Sequence, residues 1–277
     1  MSTESASTEL AAFADSVRRL VATNADNDAW QPGTHADDRS ERLSAGLVGL
    51  GWDDLSPGDE TTMPFLAAAA VQLGRAAASP YDIMALLGGC PLVDGLAMYG
   101  QPGHRVAIAD ETGYRTATIT SSTPVPFADS LGVHRVTAFE KTRSVSDPAQ
   151  RMTAWETATV GYFAGLAGYV VDLAIEYARR REIFGTTLAH LDAVQQRLGD
   201  AATTAELLTL SAREGAYGLP ALAHAASSTW SVISHGHLIF GAVGFTMEFP
   251  MQRYSRRAKA LGSFVNGWID QRIGCAA

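Results

Sequence analysis

The sequence predicts a mainly α-helical protein carrying a small β-region in its middle. Three observations carry that reading. Apolar residues recur at helical spacing through roughly the first third of the chain, with Leu10, Phe13, Val17 and Leu20 on one face of 8–23. Short β-branched, roughly alternating runs follow, at 105–109 (RVAIA), 114–120 (YRTATIT) and 133–139 (VHRVTAF). Helical spacing then returns and holds to the end of the chain.

Taken in order, 8–23 is followed by a polar loop over 24–38 and by a helix over 39–50, where Leu43, Leu47 and Leu50 share a face and Gly51 stops it. Pro57-Gly58-Asp59-Glu60 reads as a turn into 63–78 (MPFLAAAAVQLGRAAA), rich in alanine, the best helix former. Ser79-Pro80 ends that helix, since proline disfavours helical geometry in the residue before it. A short apolar helix over 81–88 closes at Gly88-Gly89. The β-runs are separated by turn residues such as Asp110-Glu111-Thr112-Gly113. From Thr153 a helix runs to about Arg181; Thr153 and Glu156 have the spacing of a capping box, and Gly185 stops the helix. Its stretch VGYFAGLAGYVVDLAIEY is apolar on most sides, the pattern of a helix buried on most sides. Arg179, Arg180 and Arg181 suit the negative end of its dipole. Further helices are expected over 189–215, 221–240 and 250–271, with Pro220 and Pro250 near two of their starts. The division is 1–97 helical, 98–150 a short β-domain, and 151–277 a helical bundle.

Composition narrows the function. The 277 residues carry a net charge of −8, which argues against a nucleic-acid partner, because phosphate binding needs clustered cations. Hydrophobic residues make up 47%, enough for a sizeable core. Charged residues are only 18%, against a usual ~25%, a deficit that points to surface covered by another chain. Cys90 reads as a small buried hydrophobe and Cys275 as part of a frayed end; two cysteines build neither a disulfide framework nor a four-cysteine metal site. MSTESASTEL lacks the cationic and apolar segments of a secretory signal, and no apolar run reaches the ~18 residues of a membrane span, so a cytoplasmic protein without a membrane partner is expected.

No phosphate loop, dinucleotide fingerprint or zinc-ligand motif occurs. His235 and His237 point about 200° apart on a helix and do not share a metal, so no metal site is expected.

Two motifs remain. The stretch 165–200 contains R-x-x-F-G from Arg181 to Gly185, and 240–259 (FGAVGFTMEFPMQRYSRRAK) contains G-x-x-G-F-T-x-E from Gly241 to Glu248. Together they resemble the central helices and Gly-rich turn of the acyl-CoA dehydrogenases. LVGLGWDDL and LAAAAVQLGRAAASPYDIMALL look like the N-terminal helical domain of that family. The resemblance implies an N-terminal helical domain, a reduced middle β-domain and a C-terminal four-helix bundle. It also implies FAD bound between subunits, an α-proton removed by a glutamate and a β-hydride passed to flavin N5. Arg181 and Phe184 would touch the FAD of a neighbouring subunit, a guanidinium fork suiting a pyrophosphate and a ring stacking on a planar base. Gly241 and Gly244 would bring backbone close to the same phosphates.

Departures from the family pattern are equally specific. Asp192 and Leu238 stand where the family has glutamines, and Ala242 replaces a glycine of the turn. An anionic Asp192 opposes a pyrophosphate. One family position for the catalytic base falls at Val265 and the other at Trp155. No carboxylate matches either position; Glu156, one residue on and so ~100° around the helix, is a candidate base for which capping is the better-fitting job. Glu248 reads as structural, paired with Arg253 or Arg256. The β-region is about half the family's length and lacks its flavin loop.

The expectation is therefore a subunit of a heteromeric FAD-dependent acyl-CoA dehydrogenase, of the short type found in actinobacterial sterol degradation. It would desaturate an acyl-CoA, a bulky sterol-type thioester, in an α2β2 complex with a larger acyl-CoA dehydrogenase homologue that supplies the base. The alternatives are a stand-alone homo-oligomeric enzyme using Glu156 or a rearranged carboxylate as base, or a non-catalytic scaffold that keeps only the fold.

Overall fold

A computed structural model describes residues 3–24, 37–55, 59, 61–111, 113–126, 132–140 and 142–276. Its axis is the helix the sequence marks as most apolar. This helix, α5 (Pro148–Arg180), follows α1 (Thr3–Asn24), α2 (Asp37–Gly49), α3 (Met63–Arg75) and α4 (Tyr81–Ala85). Every residue of α5 from Ala154 through Ala167 is buried, as expected of a helix apolar on most sides. Its length and composition would also suit a membrane span, but here its apolar sides are covered by α3, α6 (Asp192–Arg213), α7 (Leu219–Phe240) and α8 (Met251–Ala276).

Small residues set the tightest contact. Where α3 runs alongside α5, a Cβ added at Gly74 would lie 2.1 Å from the Tyr162 carbonyl oxygen, and one at Gly165 the same distance from that of Val71. Only glycine admits backbones this close. The C-terminus of α3 is then tied down by hydrogen bonds. Tyr254 Oη donates to the Arg75 carbonyl at 2.7 Å, Tyr162 Oη to that of Ala78 at 2.5 Å, and the Arg253 guanidinium to that of Ala76. These donors satisfy carbonyls that a helix end leaves open.

Side-chain pairs give the helix directions. Glu156 meets Gly218, Thr229 meets the Phe163 carbonyl and Tyr177 packs on Phe240, so α7 runs parallel to α5. Tyr169 stacks on Tyr254 at 4.4 Å and Trp155 meets Trp268 at 6.1 Å, so α8 runs antiparallel to it.

Five strands form the sheet: β1 (Cys90–Pro91), β2 (Leu96–Met98), β3 (Arg105–Asp110), β4 (Gly113–Pro124) and β5 (Val133–Phe139), in the order β1-β3-β4-β5-β2. Alternation divides its two faces. Met98, Ala107, Tyr114 and Val133 join the main core, while Ala97, Val106, Ala117 and Ile119 form a small core of their own. Arg272 of α8 donates to the carbonyls of Asp110 and Gly113, fastening the sheet to the bundle.

Several expectations are corrected. α3 ends at Arg75 rather than 78, in a Schellman turn with Ala77 left-handed (φ 46°) and Ala78 N–H on the Leu73 carbonyl at 2.9 Å. Strand pairing begins at Cys90, because β1 adds in parallel to β3. α5 starts at Pro148, which suits a first helical turn, so Thr153 lies inside the helix and donates to the Ala149 carbonyl; there is no capping box. α5 stops at Arg180, and Gly185 belongs to a hairpin beyond it. Cys275 lies in the last turn of α8 and is half-buried. Cys90 is a buried hydrophobe as read, its thiol pushed up to about 12 by burial. The expected loop over 24–38 and the turn at 57–60 fall largely outside the described residues.

Candidate functional site

Because α5 and α7 are parallel, the two sequence motifs that follow them emerge at the same end of the bundle. Tyr177, in the last turn of α5, packs edge-on against Phe240, the last residue of α7, with ring centroids 5.3 Å apart. Beyond α5 the chain forms a hairpin, β6 (Glu182–Ile183) paired with β7 (Thr186–Thr187). Its two turn residues, Phe184 (φ 54°) and Gly185 (φ 79°), are both left-handed, the pattern of a type I′ turn. Glycine takes that conformation freely, whereas a phenylalanine takes it at a cost. The turn aims the Phe184 ring outward, where it is 90% exposed. Arg181 is exposed at the base of the hairpin, and its carbonyl accepts the Leu188 N–H at 2.7 Å.

Beyond α7 comes the Gly-rich turn, one 3-10 stretch over Gly241–Phe245. Gly241 is left-handed (φ 62°) with open space where a Cβ would stand, and Gly244 is buried against Phe240 and His237. Phe245 is 70% exposed and stacks on His237 with centroids 4.4 Å apart. Burial holds the His237 imidazole below its ordinary value, which favours the neutral ring. The sequence reading missed this stacked pair, although the Gly-Phe of the second motif marks its position.

The four predicted cofactor residues Arg181, Phe184, Gly241 and Gly244 thus share one end of the bundle, three of them exposed. Asp192 is there too, exposed as the first residue of α6, where its charge suits the helix N-terminus. Leu238 is 63% exposed near the end of α7. A shallow cleft of about 390 Å³ lies on the outer side of α5 just before this end, lined by Asp172, Ile175, Glu176, Arg179 and Arg180. One guanidinium, two outward rings and an open glycine backbone fit the nucleotide portion of a flavin dinucleotide approached from outside. They do not form an enclosed pocket for its ring system.

The base candidate is elsewhere. Glu156, 5% exposed, lies near the opposite end of α5, where its carboxylate accepts the Gly218 N–H at 2.8 Å. It therefore anchors the start of α7, a role assignable to neither a base nor a capping box of its own helix. Desolvation raises its pKa, opposed by the Gly218 N–H and the Arg272 charge. Trp155 is wholly buried between α5 and α8 in edge-on contact with Trp268, which in turn meets Tyr114 of the sheet. Val265 is buried as well. Glu248 is exposed and makes no ion pair among the described residues, so the expected pairing with Arg253 or Arg256 is not formed. No group of three or more metal-ligating side chains occurs among the described residues.

Residues 149–264 match the acyl-CoA dehydrogenase C-terminal domain. The bundle belongs to the acyl-CoA dehydrogenase family. The probable acyl-CoA dehydrogenase FadE25 of Mycobacterium tuberculosis is 33% identical over 114 residues, 36% of this chain and 29% of that relative, so the chain matches less than a third of its length. Among solved structures, the Tcur3481–Tcur3483 steroid ACAD (a G363A variant) superposes with a TM-score of 0.71 at 16% identity, covering 98% of this chain and 97% of that one. The ChsE4–ChsE5 complex of Mycobacterium tuberculosis gives 0.68 at 19% identity, covering 99% and 97%. The whole chain, and not the bundle alone, therefore has the acyl-CoA dehydrogenase fold.

Proposed function

We propose that this chain is the smaller subunit of a heteromeric, FAD-dependent acyl-CoA dehydrogenase that introduces an α,β double bond into a bulky, sterol-type acyl-CoA. One observation carries the reading. The end of the bundle that matches the family's flavin contacts is exposed and preorganised, while the matched base positions hold the buried side chains of Trp155 and Val265. A chain with an outward flavin-facing surface and no base of its own works as half of a site. Fold likeness to a steroid ACAD and to a two-component complex supports a larger homologue as the other half. Bound FAD would supply the hydride acceptor. On this chain, Arg181 would pair with its diphosphate, Phe184 and Phe245 would cover a planar face, and Gly241 would let backbone N–H groups approach. The repulsion from Asp192 would be offset by the adjoining Arg179–Arg181 run.

The test is co-expression with a larger acyl-CoA dehydrogenase homologue. The complex should co-purify yellow and desaturate a steroid acyl-CoA, and Arg181→Ala should lower its flavin content without dissociating it. Turnover of an acyl-CoA by this chain alone, abolished by Glu156→Gln, would overturn the reading.

A further inference from the structure

We propose that His237 is a further flavin-binding residue, its Nε2–H donating to a diphosphate oxygen of the cofactor held at the motif-bearing end. The inference rests on the proposed function and adds to it a contact that neither sequence motif contains. His237 lies in the last turn of α7, and its carbonyl accepts the Gly241 N–H, so it stands directly before the Gly-rich turn. One face of its ring is taken by Phe245, with centroids 4.4 Å apart and planes 18° from parallel. The turn itself builds that stack. A Cβ at Gly244 would lie 2.9 Å from Phe240 Cβ and 3.4 Å from His237 Nδ1, so a glycine is needed for the next residue to fold back over the imidazole.

The two ring nitrogens have different surroundings. Nδ1 is buried against the turn and has no hydrogen-bond partner. Nε2 makes no hydrogen bond either, but it is not buried, since the ring is half-exposed and opens on that side. A neutral imidazole carries one proton, on one nitrogen or the other. Placed on Nδ1, it would be a buried N–H without an acceptor, which folded proteins avoid more strictly than a buried bare acceptor. The proton therefore belongs on Nε2, as a donor facing outward. Burial favours the neutral ring, and no charge opposes it from the same segment: Gly215–Met247, which holds both His237 and Phe245, contains no Asp, Glu, Lys or Arg.

Geometry selects the acceptor. A ring N–H points in the plane of its own ring. A planar base lying on the outer face of Phe245 is two layers from the plane of His237, about 7 Å at ~3.5 Å per layer, and out of reach of Nε2–H. The donor instead reaches past the edge of the stack, to the group that adjoins the base, and the anionic diphosphate is the strongest acceptor there. Other side chains at this end leave room for such a donor. Arg181 is opposed by the charge of Asp192, and Leu238, beside His237 and 63% exposed, offers only hydrocarbon. His235, two residues earlier, points about 200° away on the helix and takes no part.

The experiment uses the co-purified complex, stripped of flavin and titrated with FAD by fluorescence quenching. His237→Phe keeps a ring beneath Phe245 and removes the donor, so it should raise the FAD dissociation constant about tenfold at unchanged mass by light scattering. His237→Gln loses the ring but keeps an N–H donor, and should stay within about threefold of the parent. An unchanged constant in His237→Phe shows that the stack suffices and overturns the proposal, as does a loss in His237→Gln equal to that in His237→Phe. Arg181→Ala separates the two readings. If it weakens FAD binding while His237→Phe does not, the His237 contact alone fails; if neither does, the flavin-facing assignment of this end fails with it.

Discussion

Phe184 sits where a type I′ turn prefers asparagine, with a positive φ and a ring left 90% exposed. Such strain persists where it serves something outside the fold. Phe184→Asn should therefore stabilise the chain by about 1 kcal/mol in urea unfolding while lowering the flavin retained by the complex. Loss of stability would show that the ring has a structural job instead. Glu156 presents the opposite case, a buried group used internally. Its raised pKa means that the folded chain holds the proton more tightly than the unfolded one. Its contribution is therefore best at acid pH and declines as pH rises from the ordinary 4.5 through the folded value. Glu156→Gln keeps an acceptor for Gly218 N–H, so it should flatten that decline in thermal melts and leave the activity of the complex intact. Glu156→Ala removes the acceptor and should cost about 1–3 kcal/mol.

At the scale of elements, the α3–α5 crossing is the most exacting contact. Gly165→Ala would drive a methyl into the Val71 carbonyl and the Arg75 backbone nitrogen, neither of which can move without parting the helices. A loss of about 3 kcal/mol is expected by denaturant titration. Gly168→Ala meets only the tip of the Arg75 side chain, so better helix propensity should leave it within about 1 kcal/mol of the parent. Equal losses at both positions would refute the backbone-contact account. This crossing was not legible in the sequence, where Gly165 reads merely as a weak helix former; its reason lies on another helix. The same limit explains Thr153 and Glu156, whose spacing is that of a capping box although Pro148 starts the helix and Gly218, far along the chain, is the partner of Glu156. Periodicity did reveal the helices, because burial on one face is written locally. The juxtaposition of the two motifs at one end was legible because both follow directly on helix ends that parallel packing brings together.

At the scale of the molecule, the junction between sheet and bundle is filled by the chain's own aromatics. Tyr114, Trp268 and Trp155 meet in succession, each pair edge-on at 6.1 Å. The base position belongs to that packed core, while the rings that match flavin contacts point away from it. On the proposed reading, one chain offers a covering surface, and a second chain with its own base and barrel offers the reacting one. If each larger chain docks at the motif-bearing end of a smaller one and two such pairs join, the assembly closes at two of each, with one working site per unlike pair. Light scattering of the co-purified complex should report two small and two large chains, and flavin absorbance should give about two FAD per four chains. Obligate contacts of this kind bury ~2,000–5,000 Å² and lean apolar, which agrees with a chain only 18% charged. A stable monomer at micromolar concentration, or a tetramer of this chain alone holding four FAD, would refute this assembly.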